Sequence, residues 1–266
     1  MTRTVGKYGL RPVPHGVSWP LKFGDFVDLT ALDAIPAPPS GDFGHTGLVT
    51  KPWGMYLNDV LGCCVVSAKE HKIRLWDAEG TGSDTVEFTD DNTVENYELL
   101  GNYNPGDPDS DQGCDMVTAA RLELTHGIVD STGRIHRPGI ALQLQPGNWE
   151  QLRYAAYLFD GVELGILVTS EMQQAFADEQ PWDIGQFNPN NVEGGHCVPV
   201  MAFSGGMPQV ITWAGTQSLT KALYTAPQFN TVTMCYATQE KLINGKDLEG
   251  LSWSDMRSAI KKVARM

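Results

Sequence analysis

Two adjacent cysteines and one distant histidine are the residues of this chain whose settings favour covalent chemistry. Cys63 and Cys64 end the stretch NDVLGCC, which begins at Asn58 and leads into an apolar segment with helical spacing. At the start of a helix, unpaired N–H groups and the positive end of the macrodipole favour the thiolate, which is the nucleophilic form of cysteine. His196 follows two glycines and begins an apolar strand, which aims its imidazole out of the strand end. These residue types predict a thiol nucleophile with a histidine partner.

A hydroxyl residue is expected beside this histidine. Thr212, in the stretch VITWAG, follows His196 by sixteen residues and lies on the next predicted strand. Neighbouring antiparallel strands place residues side by side, so Thr212 is expected to face the imidazole. Trp213 is expected to shield the pair from water.

The elements that must position these residues change along the chain. Helical periodicity is predicted for residues 63–76, 91–100, 114–125, 149–159 and 252–265. A buried strand is predicted at 161–169, and strands with a period of two follow at 197–203, 209–213, 219–225 and 231–236. A helical N-terminal half that carries the cysteines and an antiparallel sheet in the C-terminal half predict an α+β fold.

The helix that begins at the cysteines is predicted to be amphipathic. Its apolar positions have charged residues between them, namely Lys69, Glu70, Lys72 and Arg74. This pattern is typical of a helix with one buried and one solvated face. The histidines other than His196 are expected at the surface or at caps.

Proline and glycine are frequent in the first 52 residues, which contain seven of each. A segment of this composition buries little surface and shows no sustained periodicity. Residues 1–52 are therefore interpreted as an extended arm that lies against its own domain or a neighbouring subunit. Residues 53–240 form the predicted main domain, and residues 241–266 form a C-terminal helical segment packed on it.

The composition argues against several classes of partner. The chain has 266 residues and a formal net charge of −13. Binding to nucleic acid or an anionic membrane needs clustered Lys and Arg, so neither partner is expected.

Five cysteines without CxxC spacing predict neither a disulfide framework nor a metal site, and no cofactor is expected. The N-terminus lacks the apolar run of a signal peptide, which predicts a cytoplasmic protein that is not secreted.

Taken together, these stretches resemble the papain-like cysteine peptidases. In that family a glutamine precedes the nucleophilic cysteine by six residues, and a Gly-His strand and an Asn-Ser-Trp-Gly strand follow. Here Asn58 precedes Cys64 by six residues, and His196 matches the Gly-His strand. Thr212 and Trp213 stand where the family has its asparagine and tryptophan. The resemblance covers roughly residues 53–217 in the order of elements.

The resemblance implies four roles. Cys64 would attack a carbonyl carbon, and His196 would form the thiolate–imidazolium pair and then protonate the leaving group. Asn58 would share the oxyanion with the backbone N–H of Cys64, and Thr212 would orient the imidazole. A shift of one residue would make Cys63 the nucleophile, with Asn58 five residues before it. The spacing favours Cys64.

Three functions are compatible with these patterns. The first is a papain-like cysteine hydrolase, a peptidase or amidase that acts on a peptide or amide substrate. The second is a non-catalytic structural protein with the same fold. The Asn-Asp-x-x-Gly-x-Cys pattern resembles uncharacterised phage-encoded papain-like proteins, so this second hypothesis includes a virion component whose arm contacts protein subunits of an assembly. The third is a thiol-dependent binding or redox protein built on Cys63 and Cys64.

Overall fold

The computed structural model describes residues 3–20 and 38–257 of the chain. The helices are α1 (Cys64–Thr81), α2 (Asp90–Gly101), α3 (Met116–Thr125), α4 (Trp149–Phe159), α5 (Ser170–Ala177) and α6 (Lys221–Tyr224). The strands are β1 (Phe43–Gly44), β2 (Ile128–Val129), β3 (Ile135–His136), β4 (Ile140–Leu144), β5 (Val162–Thr169), β6 (Val192–Ser204), β7 (Met207–Thr212), β8 (Gly215–Ser218) and β9 (Asn230–Ala237). The predicted α+β class is confirmed.

One antiparallel sheet forms the centre of the molecule. Its strand order is β4-β9-β5-β6-β7-β8, and β1 pairs with β6. Strands β2 and β3 form a separate ribbon. Alternate residues of β6 contribute to two apolar cores, Val198 to the core that contains α4 and Cys197 to the core that contains α1. Because apolar side chains pack on both faces, the inner strands are apolar in nearly unbroken runs.

Helix α1 is buried around its whole circumference. Every residue from Cys64 to Glu79 is buried, so the prediction of an amphipathic helix with a solvated face is wrong. A buried charge is tolerated where it has a partner, and here Arg74 lies 2.8 Å from Asp84. The helix continues past the predicted end to Thr81, because Gly82, with a φ of 73°, supplies a left-handed C-cap.

Two lysines of α1 belong to a buried charged network. Lys69 Nζ lies 2.7 Å from Glu123 and 3.0 Å from Glu163, and Lys72 Nζ lies 3.0 Å and 2.7 Å from the same two carboxylates. The Tyr236 hydroxyl donates a hydrogen bond of 3.0 Å to Glu163. The network therefore joins α1 to α3, β5 and β9.

Several elements differ from the sequence-based prediction. Residues 219–225, predicted as a strand, contain helix α6, because the Thr220 side chain caps a helical turn by accepting the Leu223 N–H at 3.2 Å. Helix α5 and strand β4 were not predicted, and β4 precedes the strand at 161–169. His71 and His136, expected at the surface or at caps, are buried.

The described residues before position 45 contact distant parts of the same chain. Trp19 is buried, and its Nε1–H donates to the Ala141 carbonyl at 3.0 Å. Further along, Phe43 of β1 pairs with Phe203 of β6. Both described parts of the arm therefore contact their own chain.

The C-terminal helix predicted for residues 252–265 falls only partly within the described residues. Residues 253–257 are helical, and the remainder of the predicted helix lies outside the described part of the chain. No helix within residues 3–20 and 38–257 has both the length and the apolar character to cross a membrane.

Candidate active site

Cys64 is the first residue of α1, and a strained loop leads to it. Cys63 is the N-cap of the helix. Earlier in the loop, Tyr56 and Leu57 have left-handed φ values of 49° and 56°, a conformation that costs free energy in residues with side chains and clusters at functional sites. This tight turn places Asn58 beside the start of the helix.

His196 lies on β6, and the hairpin that follows supplies its neighbours. Strand β7 ends at Thr212, whose Oγ1 lies 2.7 Å from His196 Nε2. Trp213 and Ala214 form a two-residue turn with φ values of 45° and 60°, which joins β7 to β8. This turn stacks the indole of Trp213 on the imidazole, with ring centroids 4.7 Å apart and planes at 22°.

The four predicted site residues line one small cavity. Cys64, His196, Asn58 and Thr212 are all buried and all contribute to its wall. The cavity has a volume of about 10 Å³, which is room for a single water molecule. His196 Nδ1 is buried and has no hydrogen-bond partner among the described residues. The imidazole therefore has one anchored nitrogen and one unpaired nitrogen.

Cys63 has different surroundings. Its Sγ donates to the Tyr56 carbonyl at 3.3 Å and lies 3.8 Å from Ser67 Oγ. It does not line the cavity that Cys64 shares with His196. Burial raises the pKa of the Cys63 thiol well above its ordinary value.

Residues 6–11 lie beside this cavity, in the cleft between Gly195 of β6 and Cys114 before α3, which we call the groove. The Asn58 side-chain amide donates to the Lys7 carbonyl at 3.1 Å, and the Lys7 N–H donates back to the Asn58 carbonyl at 2.5 Å. The ring of Tyr8 meets His196 and Trp213 edge-on, each at a centroid distance of 6.0 Å. The candidate oxyanion donor and the imidazole are therefore both covered by the arm.

Backbone hydrogen bonds continue this contact on both sides of the groove. The Leu10 N–H donates to the Gly195 carbonyl at 3.1 Å, on the sheet side. On the helical side, Cys114 donates to the Gly9 carbonyl and accepts from the Arg11 N–H, both at 2.8 Å. The segment is thus held from both sides and occupies the groove.

The closed groove determines the protonation of the site. Burial raises the pKa of the Cys64 thiol to about 11, although the backbone of Cys197 and Gly9 acts in the opposite direction. Burial lowers the pKa of His196 to about 3. In this state the thiol and the imidazole are both neutral near pH 7, because a buried site disfavours charged forms.

The role of residues 6–11 was not predicted from the sequence. The sequence feature that could have indicated this role is the position of its glycines, because several of them have no room for a side chain. A Cβ on Gly9 would lie 1.6 Å from the Gly62 carbonyl oxygen, and one on Gly194 would lie 2.6 Å from the ring of Tyr8. The two glycines before His196 therefore also make space for the arm.

The comparisons with known proteins give structural neighbours and no sequence relatives. No family model and no curated protein matches the chain. Xylellain, a cysteine protease from Xylella fastidiosa, is similar in structure with a TM-score of 0.60 and 12% identity over 90% of this chain and 98% of its own. proCathepsin B S9 from Trypanosoma congolense has a TM-score of 0.59 and 12% identity over 86% of each chain.

A third neighbour is procathepsin L 3 of the Tenebrio molitor larval midgut, with a TM-score of 0.56 and 13% identity over 89% of this chain and 76% of its own. Similarity at this level of identity concerns the fold and leaves the activity open. The protein therefore has the α+β fold of the papain-like cysteine proteases.

Proposed function

We propose that the protein is a papain-like cysteine hydrolase, a peptidase or amidase, whose groove is closed by its own residues 6–11. The observation that carries the proposal is the meeting of Cys64, His196, Asn58 and Thr212 around one cavity. The unpaired His196 Nδ1 supports it, since this nitrogen is free to take a proton from a thiol. The fold of the structural neighbours also supports it.

In the proposed reaction, His196 Nδ1 accepts the proton of the Cys64 thiol, and Thr212 holds the opposite ring nitrogen. The thiolate attacks the carbonyl carbon of a peptide or amide, and a C–S bond forms. The developing oxyanion accepts hydrogen bonds from the Asn58 amide and the Cys64 N–H. As the C–N bond breaks, His196 returns its proton to the leaving amine. A water molecule, deprotonated by His196, then attacks the thioester carbonyl carbon, the C–S bond breaks and the acid is released, and His196 returns the proton to the Cys64 sulfur.

Opening of the groove is part of this proposal. The Asn58 amide is engaged by the Lys7 carbonyl in the closed state, and Tyr8 covers the imidazole. Displacement of the arm admits water, which reduces the burial that keeps Cys64 and His196 neutral. Two of the structural neighbours are described as procathepsins, which are proenzymes.

The test compares variants of the full chain that displace the arm in different ways. Tyr8→Ala removes the ring over His196, and Gly9→Ala introduces a Cβ that clashes with the backbone of Gly62. Gly41→Ala is the matched control, because a Cβ there meets nothing within 4 Å. Each protein is labelled with iodoacetamide at mildly acidic pH, the modified cysteines are mapped, and turnover of fluorogenic peptide amides is measured.

The two arm variants are expected to expose a reactive thiol. Each unit by which the pKa of Cys64 falls raises its thiolate fraction about tenfold, so labelling should rise at least tenfold over the wild type and over Gly41→Ala. His196→Gln in the same background should abolish the gain. Labelling of Cys64 no faster than that of the buried Cys235 in both arm variants would refute the proposal.

The second candidate is a non-catalytic structural protein with the same fold, for instance a virion component. The filled groove and the neutral thiol favour this alternative. It predicts that the arm variants change assembly or stability and leave Cys64 unreactive. The labelling experiment therefore separates the two candidates directly.

A further inference from the structure

A second cluster of titratable side chains lies outside the Cys64 cavity, where distant segments of the chain meet. Its members are His45, Glu79 in the last turn of α1, Asp160 at the C-cap of α4, Lys241, Asp247 and Glu249. None of them belongs to the candidate active site. The cluster therefore needs an explanation of its own.

The cluster contains more carboxylates than cations. Lys241 Nζ lies 2.5 Å from Asp160 and 3.5 Å from Asp247. Glu79 and Glu249 each contact one nitrogen of the His45 ring. The side chains of Glu79 and Glu249 are only 2% and 8% exposed. Their Oε2 atoms are buried and have no hydrogen-bond partner within the described residues. A buried carboxylate oxygen without a partner is costly, which points to an additional cation.

Glu79, Glu249 and His45 have pKa values above their ordinary ones in this structure. Burial and the charge of Asp160 raise the pKa of Glu79 and of Glu249 to about 7. Hydrogen bonding to Glu79 is the main cause that raises the pKa of His45.

Three of the side chains are close enough to hold one ion. One ligand atom each from His45, Asp160 and Glu249 lies within 4.8 Å of the other two. Ligands at about 2.0–2.2 Å from a zinc ion are separated by up to about 4 Å, so small side-chain rotations would close the site. Nδ1 of His45 lies 3.1 Å from Glu79 Oε1, and Nε2 lies 3.4 Å from Glu249 Oε1.

We propose that His45, Asp160 and Glu249 bind one divalent transition-metal ion of the Zn²⁺ class. A single imidazole with carboxylates suits such an ion better than Ca²⁺ or Mg²⁺, which prefer oxygen ligands alone. Glu79 accepts a hydrogen bond from the second ring nitrogen of His45, an arrangement that orients histidine ligands in metal sites. The ion links the segment before α1, the C-cap of α4 and the segment after β9.

This site has no counterpart in the sequence-based prediction, which expected no metal. The ligands lie at positions 45, 160 and 249, so no local spacing reveals them. The proposal is independent of the thiol chemistry, because none of its residues lines the Cys64 cavity.

The test uses the full chain, freed of metal with a chelator and then titrated with Zn²⁺. Stoichiometry is measured by calorimetry and elemental analysis, and unfolding temperature is measured with and without Zn²⁺. His45→Gln and Glu249→Gln remove ligands, and His15→Gln at an exposed histidine is the matched control. Co²⁺ is used as a spectroscopic probe, because thiolate ligands produce a charge-transfer band that imidazole and carboxylate ligands do not.

Wild type and His15→Gln are expected to bind one Zn²⁺ per chain and to unfold several degrees higher with it. His45→Gln and Glu249→Gln are expected to lose both effects. In chelator, Glu249→Gln should be at least as stable as the wild type, since it removes one of the excess buried carboxylates, whose Oε2 has no hydrogen-bond partner among the described residues. Binding that persists unchanged in both ligand variants, or a thiolate band with Co²⁺, would overturn the proposal.

Discussion

At the scale of single residues, the contact between Thr212 and His196 decides whether the imidazole can serve a thiol. The ring nitrogen Nε2 lies 2.7 Å from the Thr212 hydroxyl. A ring that donates its Nε2–H to this oxygen keeps Nδ1 as an acceptor, because a neutral imidazole carries one proton. Stacking on Trp213 restrains the ring plane as well. Thr212 therefore acts as a positioning residue in the proposed mechanism.

Removal of the Thr212 hydroxyl should weaken the reactive pair. In the Tyr8→Ala background, Thr212→Ala is expected to lower Cys64 labelling at mildly acidic pH about tenfold or more, since a hydrogen bond to a charged group contributes about 1.5–3 kcal/mol. Thr212→Ser should restore most of the rate. The measurement is the labelling rate as a function of pH, and equal profiles for the alanine variant and its parent would contradict this role.

At the scale of elements, the burial of α1 depends on charge pairing rather than on an apolar surface. Lys69 and Lys72 face Glu123 and Glu163, and all four side chains are fully buried. Burial alone would raise the pKa of Glu163, but the two lysines lower it overall. The network is balanced only when all its members are present, because an unpaired charge in the interior is strongly unfavourable.

The substitution Glu163→Gln should therefore destabilise the whole domain. The substitution leaves the ammonium groups of Lys69 and Lys72 with Glu123 as their one remaining carboxylate in the network. Breaking a buried ion pair lowers the free energy of unfolding by about 3–5 kcal/mol. Urea denaturation is the measurement. Glu87→Gln is the matched control, since its partner Lys51 and Glu87 are about half exposed, and such surface pairs contribute little. Equal denaturation midpoints for the two variants would argue against a structural role for the network.

At the scale of the whole molecule, His136 joins the β2–β3 ribbon to the segment after β9. Its Nε2 lies 3.1 Å from Asp130, and its Nδ1 lies 2.6 Å from Glu240. Burial and the charge of Arg134 lower the pKa of His136, with burial the larger cause. The hydrogen bond and charge of Glu240 and the hydrogen bond to Asp130 outweigh them, so the pKa is raised overall. The imidazole thus bridges residues more than a hundred positions apart in sequence.

The stabilising effect of His136 should depend on pH in a defined direction. The folded-state pKa lies above the unfolded value of about 6.5, so the contribution is complete below about pH 6.5 and is lost as pH rises through the folded-state value. The unfolding temperature of the wild type should exceed that of His136→Gln by more at pH 6 than at pH 9. A difference that grows with pH would contradict this assignment.

The sequence by itself determined the local framework of this protein. Helical periodicity after Cys63 and the strand at 161–169 agree closely with α1 and β5, since short-range spacing of apolar residues governs such elements. The segment around His196 and Thr212 likewise forms two neighbouring strands. These patterns correctly predicted the α+β class, and the papain-like fold, which the resemblance of the stretches around Cys64, His196 and Thr212 implied, is confirmed.

Only the tertiary structure decided which residues surround these elements. The charged face predicted for α1 is buried because its partners come from other parts of the chain, as in the contact between Lys69 and Glu163, 94 residues apart. The arm closes the groove because Lys7 pairs with Asn58, a contact that no local pattern encodes. Burial by these distant segments sets the pKa values of Cys64 and His196, so the state of the thiol is a property of the folded chain rather than of its motif.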